Sequence, residues 1–238
     1  RISITPNTPP GLMDGVDPGR AGRDQLPSLK AHYAVITAKT TNRCVVPWAT
    51  QEWADVVHPE LEPGERLAKL WEELAYTLRL DEDDAAAAWR ERSAQLGEAG
   101  AKLDAARFDA LHYEGPGTDL TVGLLPTSHF VGGGSETIDG VTHIANLPTE
   151  EVFTSPDPRR ADGVVTATKP LDVGGTVVHG LRIRFEGGRA VQIDADEGAD
   201  ALRARCAKDE GASRLGEVAL VDREGRIGKT GTVFFNTL

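Results

Sequence analysis

Two acidic residues side by side, Glu150 and Glu151, follow a proline in the stretch Asn146-Leu147-Pro148-Thr149-Glu150-Glu151-Val152-Phe153-Thr154. A turn of this kind can hold a metal ligand. Pro148 fixes its own φ and pushes Leu147 toward extended geometry, so the backbone approaching the acids has few alternatives. Successive side chains on an extended segment leave opposite faces, so Glu150 and Glu151 diverge, and one can face a site while the other faces solvent. A further carboxylate, Glu217, interrupts the apolar run Leu215-Gly216-Glu217-Val218-Ala219-Leu220-Val221. An ionised carboxylate is costly to bury unless a cation or hydrogen bonds compensate. Two readings stay open for it: a metal site, or a strand-end glutamate that faces water or pairs with an arginine.

Other chemistries find less support. The chain has no H-E-x-x-H, no G-x-S-x-G and no G-x-x-x-x-G-K-[ST]. Gly132-Gly133-Gly134 lacks the G-x-G-x-x-G register, and reads as a loop or a point of close backbone approach rather than a phosphate cradle. Cys44 lies in an apolar run and Cys206 in a helical stretch, so both read as packing residues. The six histidines show no i, i+4 pair and no H-x-H; His129 and His143 stand out only because they flank the glycine cluster and precede the Pro148 turn.

The elements that must position these residues can be read in part. Arg1-Ile2-Ser3-Ile4 alternates like a strand, Thr5 to Pro27 reads as an extended loop, and Tyr33 to Thr37 is helix or strand. Asn42 to Pro47 reads as a buried strand ending at proline. Thr50 can cap a short helix carrying Trp53, Val56 and Val57, which His58-Pro59 stops. Pro63 opens a longer helix in which Leu67, Leu70, Trp71, Leu74 and Leu78 share one face. Asp81 to Asp84 place negative charge before the next helix, where the macrodipole favours it. Its stripe is Ala85, Trp89, Arg92, Leu96, Ala99 and Leu103, with Arg92 the exception. These two helices are expected to form a hairpin pair. After about Ala110 short strands and glycine turns take over. Leu111–Gly115 and Thr118–Leu124 pair around Gly115-Pro116-Gly117, and Thr176–Phe185 pairs with Ala190–Ile193 through Glu186-Gly187-Gly188-Arg189. A short helix over Ala199–Ala207 and a buried strand over Leu215–Val221 follow. The expected fold class is α/β plus β-rich: a partial α/β N-terminal domain with a helical hairpin over 1–108, then a mixed, strand-rich catalytic-type domain over 109–238.

Bulk composition narrows the partners. With 37 acidic and 26 basic residues the net charge is -11, so nucleic acid or an anionic membrane meets long-range repulsion. The two cysteines have no C-x-x-C spacing, which fits a reducing compartment, and no apolar run reaches membrane-spanning length. A soluble, cytoplasmic protein is expected. The chain starts without Met and stops in the apolar run from Phe234 to Leu238, which reads as an internal fragment of a longer polypeptide, with processing as the alternative.

Three blocks taken together carry a resemblance. Asn146 to Thr154, Leu215 to Val221, and Phe235-Asn236-Thr237-Leu238 resemble the N-x-P-T-x-E-V-F-T, G-E-x-A-L-V and F-x-N-T-L blocks of the thermophilic metalloprotease family of aminopeptidases, the group of aminopeptidase T, aminopeptidase S and PepS. Their order fits, and so does the separation of Glu151 and Glu217 (217 minus 151, or 66 positions). The match covers much of Leu111 to Leu238 and is looser before it.

The resemblance implies a metal-dependent aminopeptidase that releases N-terminal amino acids from peptides with a free N-terminus, by water activated between two divalent metal ions (zinc, cobalt or magnesium). It implies Glu151 and Glu217 as metal-coordinating carboxylates, Glu150 as the neighbour turned away, and a homodimeric parent. In the family an acidic D-E-N segment, a histidine ligand, an H-x-D pair and a catalytic tyrosine come later, so the catalytic residues are expected beyond Leu238. Metal binding by this stretch alone is accordingly expected to be weak or absent and the fragment inactive. The competing readings are a non-catalytic ligand-binding or regulatory module and, behind it, a phosphate-handling enzyme using Gly132 to Gly134.

Overall fold

The computed structural model describes residues 1–6, 12–13, 15–17, 19–20 and 29–234. Most of the expected loop after Thr5, and the Phe235–Leu238 block, lie outside them. The architecture is mixed α/β, with several small sheets rather than one continuous one.

Strand β1 (Ile2–Pro6) pairs in parallel with β2 (Cys44–Trp48), and the Tyr33–Thr37 stretch falls inside helix α1 (Leu29–Ala38). Helix α2 (Gln51–Val57) starts where the Thr50 hydroxyl accepts from the Trp53 backbone N–H at 3.3 Å, and ends at His58. Pro63 opens α3 (Pro63–Thr77), whose Leu70 and Leu74 are fully buried with Trp53, Ala54 and Phe234. The Asp84 carboxylate caps α4 (Ala85–Ala106) by accepting from the Ala87 N–H at 2.9 Å.

The expected hairpin of α3 with α4 does not form. Helix α3 packs on α2 and on α6 (Arg226–Thr230), whereas α4 packs on strands β5 (Val131–Gly132) and β8 (Glu151–Thr154). Both apolar stripes exist, but they serve different cores: Leu96 of α4 joins Leu120, Val122, Phe130, Val152 and Val218. An amphipathic stripe specifies that a face is buried and leaves open against what.

The main sheet has the order β13-β12-β9-β4-β3, with β3 (Ala110–Gly115), β4 (Thr118–Leu124), β9 (Pro156–Thr166), β12 (Arg182–Glu186) and β13 (Arg189–Asp194), all neighbours antiparallel. The β3–β4 hairpin turns at Pro116 and Gly117 as expected. Thr176–Phe185 is not one strand. Thr176–Val178 is β11, paired with β10 (Leu171–Val173), and the chain breaks at Gly180 before β12 begins. Gly180 has φ 61°, and a Cβ there would lie 2.1 Å from an Asp196 carboxylate oxygen, so the break requires glycine. Residues β6 (Ser135–Glu136) and β7 (Thr142–His143) make a small ribbon, and α5 (Ala199–Cys206) follows β13.

A three-stranded sheet positions the acids. Its order is β14-β8-β5, with β8 central and β14 (Val218–Val221) antiparallel to it. Strand β14 is shorter than the expected Leu215–Val221, and Glu217 stands one residue before it, exposed. No helix among the described residues is long and apolar enough to cross a membrane.

Candidate metal centre

The turn before β8 is fixed from several sides. The Val45 N–H donates to the Ala145 carbonyl at 2.9 Å and the Leu147 N–H donates to the Val45 carbonyl at 2.8 Å, so β2 holds the approach to Pro148. The Leu147–Pro148 peptide is cis, and Pro148 is fully buried. Beyond it Thr149 and Glu150 are buried as well.

Glu151 opens β8, and period-two alternation then separates the two faces. Val152 and Thr154 are buried, while Glu151 and Phe153 are half-buried on the other side. Across the ladder Glu151 lies opposite Val221 and Phe153 opposite Ala219. Glu217, two residues before Ala219, has the parity of the Glu151 face. Their proximity is felt electrostatically: burial raises the Glu151 carboxyl above its ordinary value, and the negative charge of Glu217 raises it further.

Glu150 does leave the opposite face, but not toward solvent. Only 2% exposed, it is enclosed by two arginines: the Arg79 Nη2 donates to one carboxylate oxygen at 3.0 Å and the Arg92 Nη2 pairs with the other. Arg92 also reaches Asp222 at 3.2 Å. The one charged residue on the apolar stripe of α4 is thus the counter-ion of the buried acid. Arg92 was a visible signal of a buried charge; Arg79, in a left-handed turn (φ 60°) after α3, left none.

The remaining candidates have other side-chain partners or surroundings among the described residues. His129 is exposed, 3.3 Å from Asp104, and His143 lies in the β6–β7 ribbon. His58 is buried at the end of α2, where its Nε2 lies 3.0 Å from Glu73. Burial raises both thiols, Cys44 and Cys206, which keeps them protonated and in their packing role. The glycine cluster is a point of close approach: a Cβ on Gly132 would lie 2.8 Å from the Leu96 carbonyl oxygen, and one on Gly133 2.3 Å from that of Ser93. Helix α4 lies directly against these glycines.

Among the described residues no group of three or more His, Cys, Asp and Glu side chains is arranged to hold a metal ion. Glu151 and Glu217 nevertheless fit a cation chemically. They are two oxygen donors at the ends of one strand pair, and the repulsion that raises the Glu151 carboxyl is relieved when a positive charge lies near them.

A family model described as thermophilic metalloprotease (M29) matches residues 1–238, the whole chain. Aminopeptidase T of Thermus thermophilus is 44% identical over 241 residues, covering 100% of this chain and 59% of the relative. Aminopeptidase AmpS of Bacillus subtilis is 39% identical, covering 100% of this chain and 58% of the relative. The solved structure of wild-type AmpT from Thermus thermophilus superposes with a TM-score of 0.86 at 42% identity, over 100% of this chain and 59% of that one. The chain therefore spans a little under three fifths of the length of these relatives.

Proposed function

The chain belongs to the thermophilic metalloprotease (M29) family, and on that premise we propose that it forms part of a metal-dependent aminopeptidase acting on peptides with a free N-terminus. What supports this reading is the carboxylate pair Glu151 and Glu217, carried at the two ends of the β8–β14 ladder, with the charge of Glu217 raising the Glu151 carboxyl beyond what burial does.

Glu151 and Glu217 would hold divalent metal (zinc, cobalt or magnesium), with further ligands from elsewhere in the protein. Divalent ions at such a site supply Lewis acidity toward a scissile carbonyl and lower the pKa of water. The protein's own part is to hold two carboxylates on one strand pair, ready for a cation. Glu151 is held half-buried, where a neutral acid is favoured, so it gains most from a nearby cation. A peptide's free α-amino group, which an internal peptide bond lacks, can be received at such a site by a metal or a carboxylate, and this supports exopeptidase selectivity. The chain's net charge of -11 points the same way, toward a cationic group rather than a polyanion.

The experiment uses the full-length protein and one peptide in two forms, with a free and with an acetylated N-terminus. Release of the first residue from the free form alone, abolished by chelator and restored by zinc, cobalt or magnesium, is the expected result. Activity that survives exhaustive chelation, or equal cleavage of the acetylated peptide, overturns the reading.

A further inference from the structure

Glu150 has no part in the site just described, yet it is buried between two arginines. Its side chain is 1% exposed, and both arginine side chains facing it are 14% exposed. Burying three charges is expensive, and a packed apolar trio is commonly as stabilising as a buried ion cluster. As a stability device this one is incomplete, since the Nε atoms of Arg79 and Arg92 have no hydrogen-bond partner among the described residues. What such a cluster supplies that an apolar trio cannot is direction.

Each member is anchored separately. Arg79 projects from a left-handed turn and stacks 5.0 Å from the centre of the Trp89 ring, whose indole N–H donates to the Leu78 carbonyl at 2.9 Å. Arg92 is carried by α4, which packs on β8, and its guanidinium also holds Asp222, directly after β14. The Asp222 N–H approaches the Glu150 carbonyl oxygen at 3.4 Å, and Gly225 lies close enough that a Cβ there would stand 2.8 Å from a Glu150 carboxylate oxygen. Side chain and backbone of Glu150 are therefore tied to α4, to the α3–α4 turn and to the end of β14 together.

Adjacent residues entering a strand send their side chains to opposite faces, so fixing one fixes where the next points. We propose that Glu150, clamped by Arg79 and Arg92, is the positioning residue that aims the Glu151 carboxylate at the metal. The inference rests on the reading of Glu151 as a metal ligand. The clamp also links both acid-bearing strands, because Asp222 continues the strand that Glu217 precedes.

The test measures binding of Co2+ alone to the metal-free full-length protein, by competition with a chromophoric chelator, together with the visible spectrum of the bound ion. Four variants are compared: Glu151→Gln, Glu150→Gln, Arg92→Lys, and Glu73→Gln as a control that disturbs a buried carboxylate bonded to His58 and Thr232 instead. Expected is a loss of affinity of roughly 10–100-fold in Glu150→Gln and in Arg92→Lys, the range usual for groups that orient a ligand. The Co2+ spectrum shifts in both, while Glu73→Gln binds Co2+ as the wild type does even where it melts lower. Wild-type affinity and spectrum in Glu150→Gln, with affinity lost in Glu151→Gln, overturn the positioning role alone. Wild-type affinity in Glu151→Gln overturns the ligand assignment beneath it. If Glu150→Gln fails to fold, Arg92→Lys decides by the same criteria, since it keeps the charge and loses the fork.

Discussion

Glu151 and Val221 face each other across the β8–β14 ladder, so a half-buried carboxylate has a valine, itself 57% exposed, as its cross-strand partner. A valine offers the acid no hydrogen bond, and Glu217 adds a like charge. Folding therefore raises the Glu151 pKa. The folded state favours the protonated acid, so this group's contribution to stability is greatest below the ordinary carboxyl range and is lost as the pH rises through the raised value. In metal-free protein, Glu151→Gln is expected to melt higher than wild type at pH 7, with the difference fading below about pH 4. Calorimetry at both pH values in chelator checks this; a lower melting temperature at pH 7 contradicts it.

Asp157 carries the opposite sign. Its carboxylate accepts from the Arg159 N–H at 2.9 Å and from the guanidinium at 3.0 and 3.1 Å, which holds its pKa at about 2, below the ordinary 3.8. That stabilisation is present above the ordinary value and is lost as the pH falls through about 2. Asp157→Asn should lower the melting temperature at pH 7, and the gap to wild type should close steadily between pH 4 and pH 2. A gap that is constant with pH would assign the effect to packing.

Gly133 and Gly140 make a matched pair. Both have positive φ, 76° and 79°, but a Cβ on Gly133 would lie 2.3 Å from the Ser93 carbonyl oxygen, whereas Gly140 has open space. Gly140→Ala should cost about 1–2 kcal/mol of backbone strain. Gly133→Ala should cost several kcal/mol, because α4 must also move off β5. Urea denaturation of the two variants gives the difference, and equal costs would show that α4 yields freely.

Phe234 is 1% exposed, with its ring edge-on to Trp53 at 6.0 Å between centroids. Phe234→Ala should destabilise by about 3–5 kcal/mol, the usual cost of emptying an aromatic core site. The same denaturation series reads it, and a loss below 1 kcal/mol would mean the Trp53 core stands without the later segment.

Local rules were legible where local chemistry decides. Thr50 and Asp84 cap their helices, Pro63 opens one, Gly117 turns a hairpin, and the glycine cluster lies where two backbones approach. Partners were not legible, because periodicity marks a buried face without naming what covers it. Helices α3 and α4 accordingly went to different cores. The strand break at Gly180 depends on Asp196, sixteen positions on, and the burial of Glu150 depends on Arg79, 71 positions back. For the acids, alternation separated Glu150 from Glu151 correctly. It could not say that the face opposite Glu151 was protein rather than water, and the only trace of that was a charged Arg92 on an apolar stripe.

The indole N–H of Trp53 donates to the Val233 carbonyl, 180 residues later in the chain, at 3.1 Å. On a ribosome adding about 5–20 residues per second, the apolar faces of α2 and α3 wait on the order of 10–40 s for the segment that closes over them. Helices α2 and α3 are therefore finished long after they are made. Until that segment emerges they present a tryptophan-lined surface of the kind that chaperones hold and that misfolded neighbours share.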